Sequence, residues 1–167
     1  ANWKITESSP SKVTFVRELP RWGLEISKKY ELAKVEPESA AYHLVLDVKI
    51  RNLDGKPHEV AYQLDGPNGL PIEGWWYSNK ISRTWSSVGV RDVAVMYEGA
   101  KVPDLVGCTK IADKKVESLP WKKEEPLAFI GVDAQYFSAV LIPQREVAGE
   151  TWFAESRPMT VGTVDEE

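Results

Sequence analysis

The chain has 167 residues and a formal net charge of −4, with 21 lysines and arginines against 25 aspartates and glutamates. This acidic balance argues against a nucleic-acid-binding surface, which needs clustered cations to neutralise phosphates. The single cysteine, Cys108, excludes an internal disulfide and a cysteine-based zinc cluster. No run of about 18 apolar residues is present that could span a bilayer as a helix. Because the chain begins at Ala1 and not at Met, we expect residues 1–167 to be one domain, or a fragment of one, from a longer protein.

Alternating apolar and polar residues predict short strands in the first part of the chain. Leu24–Leu32 is one such strand, and Lys28 interrupts its apolar face, which suggests an edge or a bulge. Residues 43–51 have apolar side chains at every second position, from Leu44 to Ile50, and predict a half-buried antiparallel strand. The Asp54-Gly55 pair that follows predicts a hairpin turn, with residues 59–64 as the returning strand.

Further strands are predicted along the rest of the chain. They are Val13–Val16, Val90–Tyr97, Leu127–Ile142, Thr151–Ala154 and Met159–Val164. The run 127–142 is either one long strand or two strands that meet at Gly131, and Pro143 ends it because proline has no N–H for a ladder. No segment shows sustained helical periodicity. The pattern therefore predicts an all-β fold, a twisted antiparallel β-sandwich.

Few residues suggest catalysis or a cofactor. The chain has two histidines, His43 and His58, which across the predicted hairpin could form a weak metal site with Asp47 or Glu59. The simpler interpretation is two surface histidines. Cys108 is expected to be a buried structural thiol, and no nucleophile elbow or glycine-rich phosphate loop is present. We therefore expect no enzyme activity, no cofactor and no metal.

Aromatic residues provide the best binding candidate by residue type alone, since exposed aromatics mark sites for sugars, peptides or partner proteins. The cluster consists of three consecutive residues, Trp75, Trp76 and Tyr77. The alternative is that its rings pack in the core of the sandwich. Asp65, Glu73 and Asp133 lie near aromatic residues in the sequence, as sugar-binding acids often do. A carbohydrate-binding module and a sugar-cleaving enzyme therefore stay open.

The run that contains Gly131 resembles a segment of a known family. Its quoted parts are Leu127-Ala128-Phe129-Ile130-Gly131, Gln135-Tyr136-Phe137 and Leu141-Ile142-Pro143. They are similar to the late segment of the large periplasmic domain of the YidC/Oxa/Alb family of membrane protein insertases. Tyr42–Asn52, followed by Leu53-Asp54-Gly55, is similar to an earlier strand and polar turn of that domain.

The resemblance implies a non-catalytic periplasmic domain of a bacterial inner-membrane protein, folded as a β-supersandwich like that of galactose mutarotase. It implies contacts with the Sec translocon components SecDF and SecYEG and with nascent membrane proteins, in a full-length protein that is embedded in the membrane. The family's insertion groove belongs to its membrane domain, so this chain would support insertion and folding through protein contacts. The alternatives are a carbohydrate-binding module and an aldose-epimerase-like enzyme on a related sandwich, which needs a histidine and a carboxylate in one cleft.

No functional residue follows from the resemblance, and the matched positions are expected to determine the fold. They are Gly131, Gln135, Tyr136, Phe137 and Pro143. Gly131 is expected to permit a bulge and Gln135 to bond backbone groups of the sheet. Whichever of Tyr136 and Phe137 faces inward is expected to pack in the core.

Overall fold

The structure, a computed structural model, describes residues 2–33, 43–68, 70, 91–116, 118–120, 126–134, 136–145, 153 and 155–160. The chain divides into two compact units, Ala1–Tyr62 and Gln63–Glu167. Each contains a four-stranded antiparallel sheet, so the predicted all-β, antiparallel class is confirmed. The packing of sheets into a sandwich stays a prediction.

The first unit is an antiparallel sheet whose strands follow one another in chain order. They are β1 (Lys4–Ser9), β2 (Lys12–Leu19), β3 (Leu24–Leu32) and β4 (Leu44–Asn52). A turn at Pro10 joins β1 to β2, and a single 3-10 turn, Pro20–Trp22, precedes β3. Gly23 ends that turn with φ of 58°, and a side chain there would also collide with the carboxylate of Asp54. Glycine is therefore required at this connection.

Strand register gives this sheet one charged and one apolar face. On the charged face Arg51 donates two hydrogen bonds of 3.0 Å to the Glu25 carboxylate on the neighbouring strand. On the apolar face the rings of Phe15 and Tyr30 meet edge to face with centroids 6.1 Å apart. Leu24, 9% exposed, is the best-buried residue of that face. The strand predicted after residue 43 is present, but its burial does not alternate, since Leu44 is 58% exposed and Asp47 is half-buried like Leu46.

Lys28 lies in the middle of this sheet and on its apolar face. It pairs with Phe15 on β2 and Val48 on β4, so the expected edge or bulge is wrong. Its ammonium lies 4.9 Å from the centroid of the Trp3 ring, within the range of a cation–π interaction. That contact gives the charge a partner and explains how lysine occupies a central strand.

The segment after β4 is a loop. Residues 57–68 form no strand, so the returning strand predicted over 59–64 is wrong. The Asn52 side chain accepts hydrogen bonds from the N–H groups of Asp54 and Gly55 at 3.1 and 2.9 Å. The predicted polar turn is present, but the side chain of Asn52 closes it without strand pairing.

The second unit contains a sheet in the order β6-β5-β8-β9, a helix and a two-stranded pair. The elements are β5 (Arg91–Tyr97), β6 (Asp104–Gly107), α1 (Cys108–Ala112), β7 (Leu119–Pro120), β8 (Leu127–Ala134), β9 (Ser138–Leu141) and β10 (Glu155–Ser156). The core runs along β5 and β8, where Val95 and Leu127 are 2% and 4% exposed. Of the strand predicted over 159–164, the two described residues, 159 and 160, are not in a strand.

The helix α1 escapes prediction because five residues are too few for a periodic pattern. It closes with hydrogen bonds from Lys114 N–H to Ile111 O (3.0 Å) and from Lys115 N–H to Lys110 O (2.9 Å). This pair of bonds is the Schellman motif, whose left-handed position normally holds glycine. Here Lys114 takes that position with φ of 54°, the only non-glycine residue with positive φ in the described part of the chain.

The run that was predicted as one strand folds into a hairpin. β8 ends at Ala134 and β9 begins at Ser138, and the Ala134 N–H donates to Phe137 O at 2.8 Å. Both earlier interpretations, one long strand or two strands meeting at Gly131, are therefore wrong, since the chain reverses three residues after Gly131. β9 ends at Leu141, before Pro143, as expected.

Candidate functional site

The β8–β9 hairpin exposes apolar side chains at its tip and along its outer strand. The exposed residues are Tyr136 (57%), Phe137 (56%), Val140 (39%) and Ile142 (67%). We call these four residues the hairpin ridge. Residues 134–144 carry no charged side chain, so the ridge lies in an uncharged stretch of the chain. Exposed aromatic and aliphatic groups in such a stretch are typical of a protein contact surface.

The exposure of the ridge corrects the role expected for Tyr136 and Phe137. Both lie at the chain reversal, where side chains project beyond the sheet, and each is more than half exposed. Neither is a core residue, so the expectation that one of them packs in the core is wrong.

Gly131 positions the outer strand of the hairpin. It pairs in register between β5 and β9, so the bulge expected there is wrong, and the register shift lies instead between Met96 and Tyr97. A Cβ on Gly131 would collide with the Ala139 carbonyl oxygen and lie 2.5 Å from the Val140 Cα. Glycine is therefore needed here because β9 approaches closely.

β9 is an edge strand. It pairs with β8 on one side, and no strand of the described residues pairs with its other side. Pairs in an antiparallel ladder alternate between hydrogen-bonded and non-hydrogen-bonded. Ala134 and Phe137 form a hydrogen-bonded pair. The pairs of Ser138 with Asp133 and of Val140 with Gly131 are therefore of the non-hydrogen-bonded type. The N–H and C=O groups of Ser138 and Val140 therefore point away from β8.

Arg145 anchors the chain where it leaves β9. Its side chain is 11% exposed and donates to the carboxylate of Glu98 and to the backbone oxygen of Leu127, at the start of β8. Glu98 in turn donates its N–H to Pro126 O at 2.8 Å. These bonds tie the chain that follows β9 to the start of β8 and to Glu98, the residue after β5. No sequence pattern marks Arg145, because its partners lie 47 and 18 residues away.

The metal site proposed for the histidines is not formed. Both histidines are exposed, and the His58 Nε2 lies 2.8 Å from the Asp54 Oδ1. This hydrogen bond, with a second from the Lys56 N–H, holds the pKa of Asp54 below its usual range. Since no strand returns along β4, His43 and His58 do not face each other across a hairpin. Among the described residues, no group of three or more His, Cys, Asp or Glu could hold a metal ion.

Two carboxylates face each other in the second unit. Asp92 on β5, 1% exposed, pairs in register with Asp133 on β8. Facing carboxylates occur in acid–base enzymes, but such enzymes need them in a cleft. One cleft among the described residues, of about 470 Å³, is lined by residues that include Ile111, Lys114, Ser118, Arg157 and Met159, and neither aspartate lines it. The sugar-cleaving and epimerase alternatives stay predictions.

The other predicted site residues divide between described and undescribed parts of the chain. Trp75, Trp76 and Tyr77, together with Glu73 and Gln135, lie outside the described residues, so the aromatic platform stays a prediction. Asp65 accepts a hydrogen bond of 2.8 Å from the Gln63 amide in an exposed loop. Cys108 begins α1 and is half-buried, less enclosed than expected.

Comparison with family models, curated proteins and solved structures finds no match for this chain. Among the described residues, no helix has the length and apolar character needed to cross a membrane.

Proposed function

We propose that this chain is a non-catalytic periplasmic domain of a YidC-type membrane protein insertase that supports the insertion and folding of inner-membrane proteins through protein contacts. The observation that carries the proposal is the hairpin ridge. The segment with the family resemblance forms a hairpin with exposed, uncharged side chains, and its aromatic residues are not buried in the core.

The ridge has the chemistry of an interface centre. Interface centres are enriched in aromatic residues and depleted of charge, and Tyr136, Phe137, Val140 and Ile142 satisfy both conditions. The bonds of Arg145 fix the hairpin before a partner arrives, which reduces the conformational entropy lost on binding.

The proposed partners are SecDF, SecYEG and nascent membrane proteins, and the proposed location is the periplasmic side of the bacterial inner membrane. The net charge of −4 suits a domain that works near anionic lipid without being held on it, since polybasic surfaces are the ones that anionic headgroups attract. The hairpin ridge would then meet protein in preference to lipid.

Co-purification tests this proposal. The tagged chain is mixed with proteoliposomes that contain SecYEG and SecDF, and bound protein is measured. We expect Phe137→Ser with Ile142→Ser to abolish retention. Trp22→Ser is the matched control. Trp22 lies in the other unit, and its exposed fraction of 57% is close to the 56% of Phe137. Equal retention of all three proteins, or no retention of the native chain, would contradict the proposal.

A further inference from the structure

We infer that the outer edge of β9 binds extended, uncharged peptide segments by adding them to the sheet as a further strand. This inference rests on the proposed function, because it names the class of substrate, apolar segments of nascent chains, that the hairpin would contact. It commits to one occupant, an extended chain without charge.

The backbone of β9 supplies the first argument. The N–H and C=O groups of Ser138 and Val140 point outward, and an extended chain presents donors and acceptors at the spacing that matches them. Ser138 and Ala139 are small, so a partner backbone can approach without steric obstruction. Binding through these groups would be largely independent of the partner's sequence.

The side chains of β9 supply the second argument. Ser138, Val140 and Ile142 alternate along the strand, and each is exposed. No charge lies between Asp133 and Arg145. A bound segment would therefore place its own side chains beside apolar groups, and a charged residue there would lose hydration without gaining a partner. The loss of hydration therefore makes the β9 edge favour uncharged peptide segments over charged ones.

The other sheet edges supply the third argument, because each carries charge. Edge strands usually carry charges or bulges that prevent pairing with other chains. β4 carries Asp47, Lys49 and Arg51, and β6 begins with Asp104. β1 has charged residues and a register shift after Ile5. Among the edges of the two four-stranded sheets in the part of the chain that the structure describes, β9 alone carries neither a charged residue nor a register shift, as a strand suited to pairing would.

Fluorescence anisotropy with a synthetic peptide tests the inference. The probe is a labelled, capped peptide of alternating valine and threonine, and its partner probe has the same sequence with every amide nitrogen N-methylated, so that neither edge of the extended peptide can donate a hydrogen bond. We expect saturable binding of the first and a loss of at least about tenfold in affinity for the second, since two net hydrogen bonds account for that factor. N-methylation needs no change in the protein, so misfolding cannot explain the loss.

Matched protein variants locate the site. Val140→Lys places a charge on the open edge and should weaken binding by at least about tenfold. Val102→Lys makes the same change at a residue 70% exposed in the same unit, away from β9, and should leave affinity within about twofold. Circular dichroism verifies that both variants fold.

Three results would overturn strand addition: equal binding of both peptides, native affinity in Val140→Lys, or a concentration-dependent dimer that Val140→Lys dissociates and the peptide does not. The last result would assign the edge to a second copy of the chain. The inference and the proposed function fail separately. Retention on SecYEG and SecDF without peptide binding removes strand addition alone, and peptide binding without that retention removes the insertase partners alone.

Discussion

Replacement of Arg145 by methionine tests how the hairpin is anchored. Methionine retains the length of the side chain and removes the charged donors. The hydrogen bond to the Leu127 oxygen is charge-assisted and part-buried, and such bonds contribute about 1.5–3 kcal/mol. The ion pair adds about 0–1 kcal/mol, because the Glu98 side chain is 50% exposed. We expect Arg145→Met to lower the free energy of unfolding by about 1.5–4 kcal/mol.

Urea denaturation followed by circular dichroism and tryptophan fluorescence measures this change. Glu98→Gln should cost no more than about 1 kcal/mol, because it removes the exposed ion pair alone. Arg157→Met is a matched control, since Arg157 is 70% exposed and its ion pair with Glu155 should also contribute no more than about 1 kcal/mol. A loss below about 1 kcal/mol for Arg145→Met would refute the anchoring role.

Four further predictions follow from individual residues. Gly131→Ala should lower the free energy of unfolding in urea by about 1–3 kcal/mol, because its methyl group would collide with β9, and an unchanged midpoint would contradict this. Phe137→Ala should cost less than about 1 kcal/mol, since the ring is exposed; a loss typical of a core aromatic would place it in the interior. Lys114→Gly should raise the free energy of unfolding in urea by about 0.5–1 kcal/mol by relieving a left-handed φ, and an unchanged or lower midpoint would contradict this. Because folding lowers the pKa of Asp54, its ionised carboxylate stabilises the protein above the unfolded-state pKa, and this stability is lost as pH falls through the folded-state pKa. In carbon NMR titrations, His58→Ala should raise the folded-state pKa of Asp54, and an unchanged titration would exclude the His58 hydrogen bond as its cause.

Local pattern predicted the fold class and several strands. The strand predicted over Leu24–Leu32 matches β3, and the one predicted over residues 43–51 matches β4 to within one residue at each end, because one face of each strand is apolar and the period of two is visible in the sequence. β1 was missed, since every residue of Lys4–Ser9 is exposed and therefore carries no apolar alternation. The helix α1 was not predicted, because it is too short to show a helical period in the sequence.

The hairpin ridge was not predicted as a binding surface, because Tyr136 and Phe137 were expected to determine the fold. An apolar run that includes Tyr136 and Phe137 has the composition of a buried strand, and composition alone does not show where such a run reverses. The hairpin turn lacks the Asn-Gly or Asp-Gly pair that would have marked it. Gly131 was expected to permit a bulge. Its role is instead set by the close approach of the neighbouring strand β9, which local sequence does not reveal.

Long-range partners explain the remaining differences. The outward direction of the Ser138 and Val140 backbone groups follows from the ladder register, and Arg145 acquires its role from residues distant in the chain. Lys28 is tolerated on an apolar face because Trp3, far along the chain, covers its charge. None of these relations has a local signature.

Site-specific photo-crosslinking tests the central claim most directly. A photoreactive phenylalanine replaces Phe137 in one protein and Trp22 in another, and each is illuminated with membranes that contain SecYEG and SecDF. The account predicts crosslinks to Sec components or nascent membrane proteins from position 137 and none from position 22. Crosslinks from neither position, or equal crosslinks from both, would contradict it.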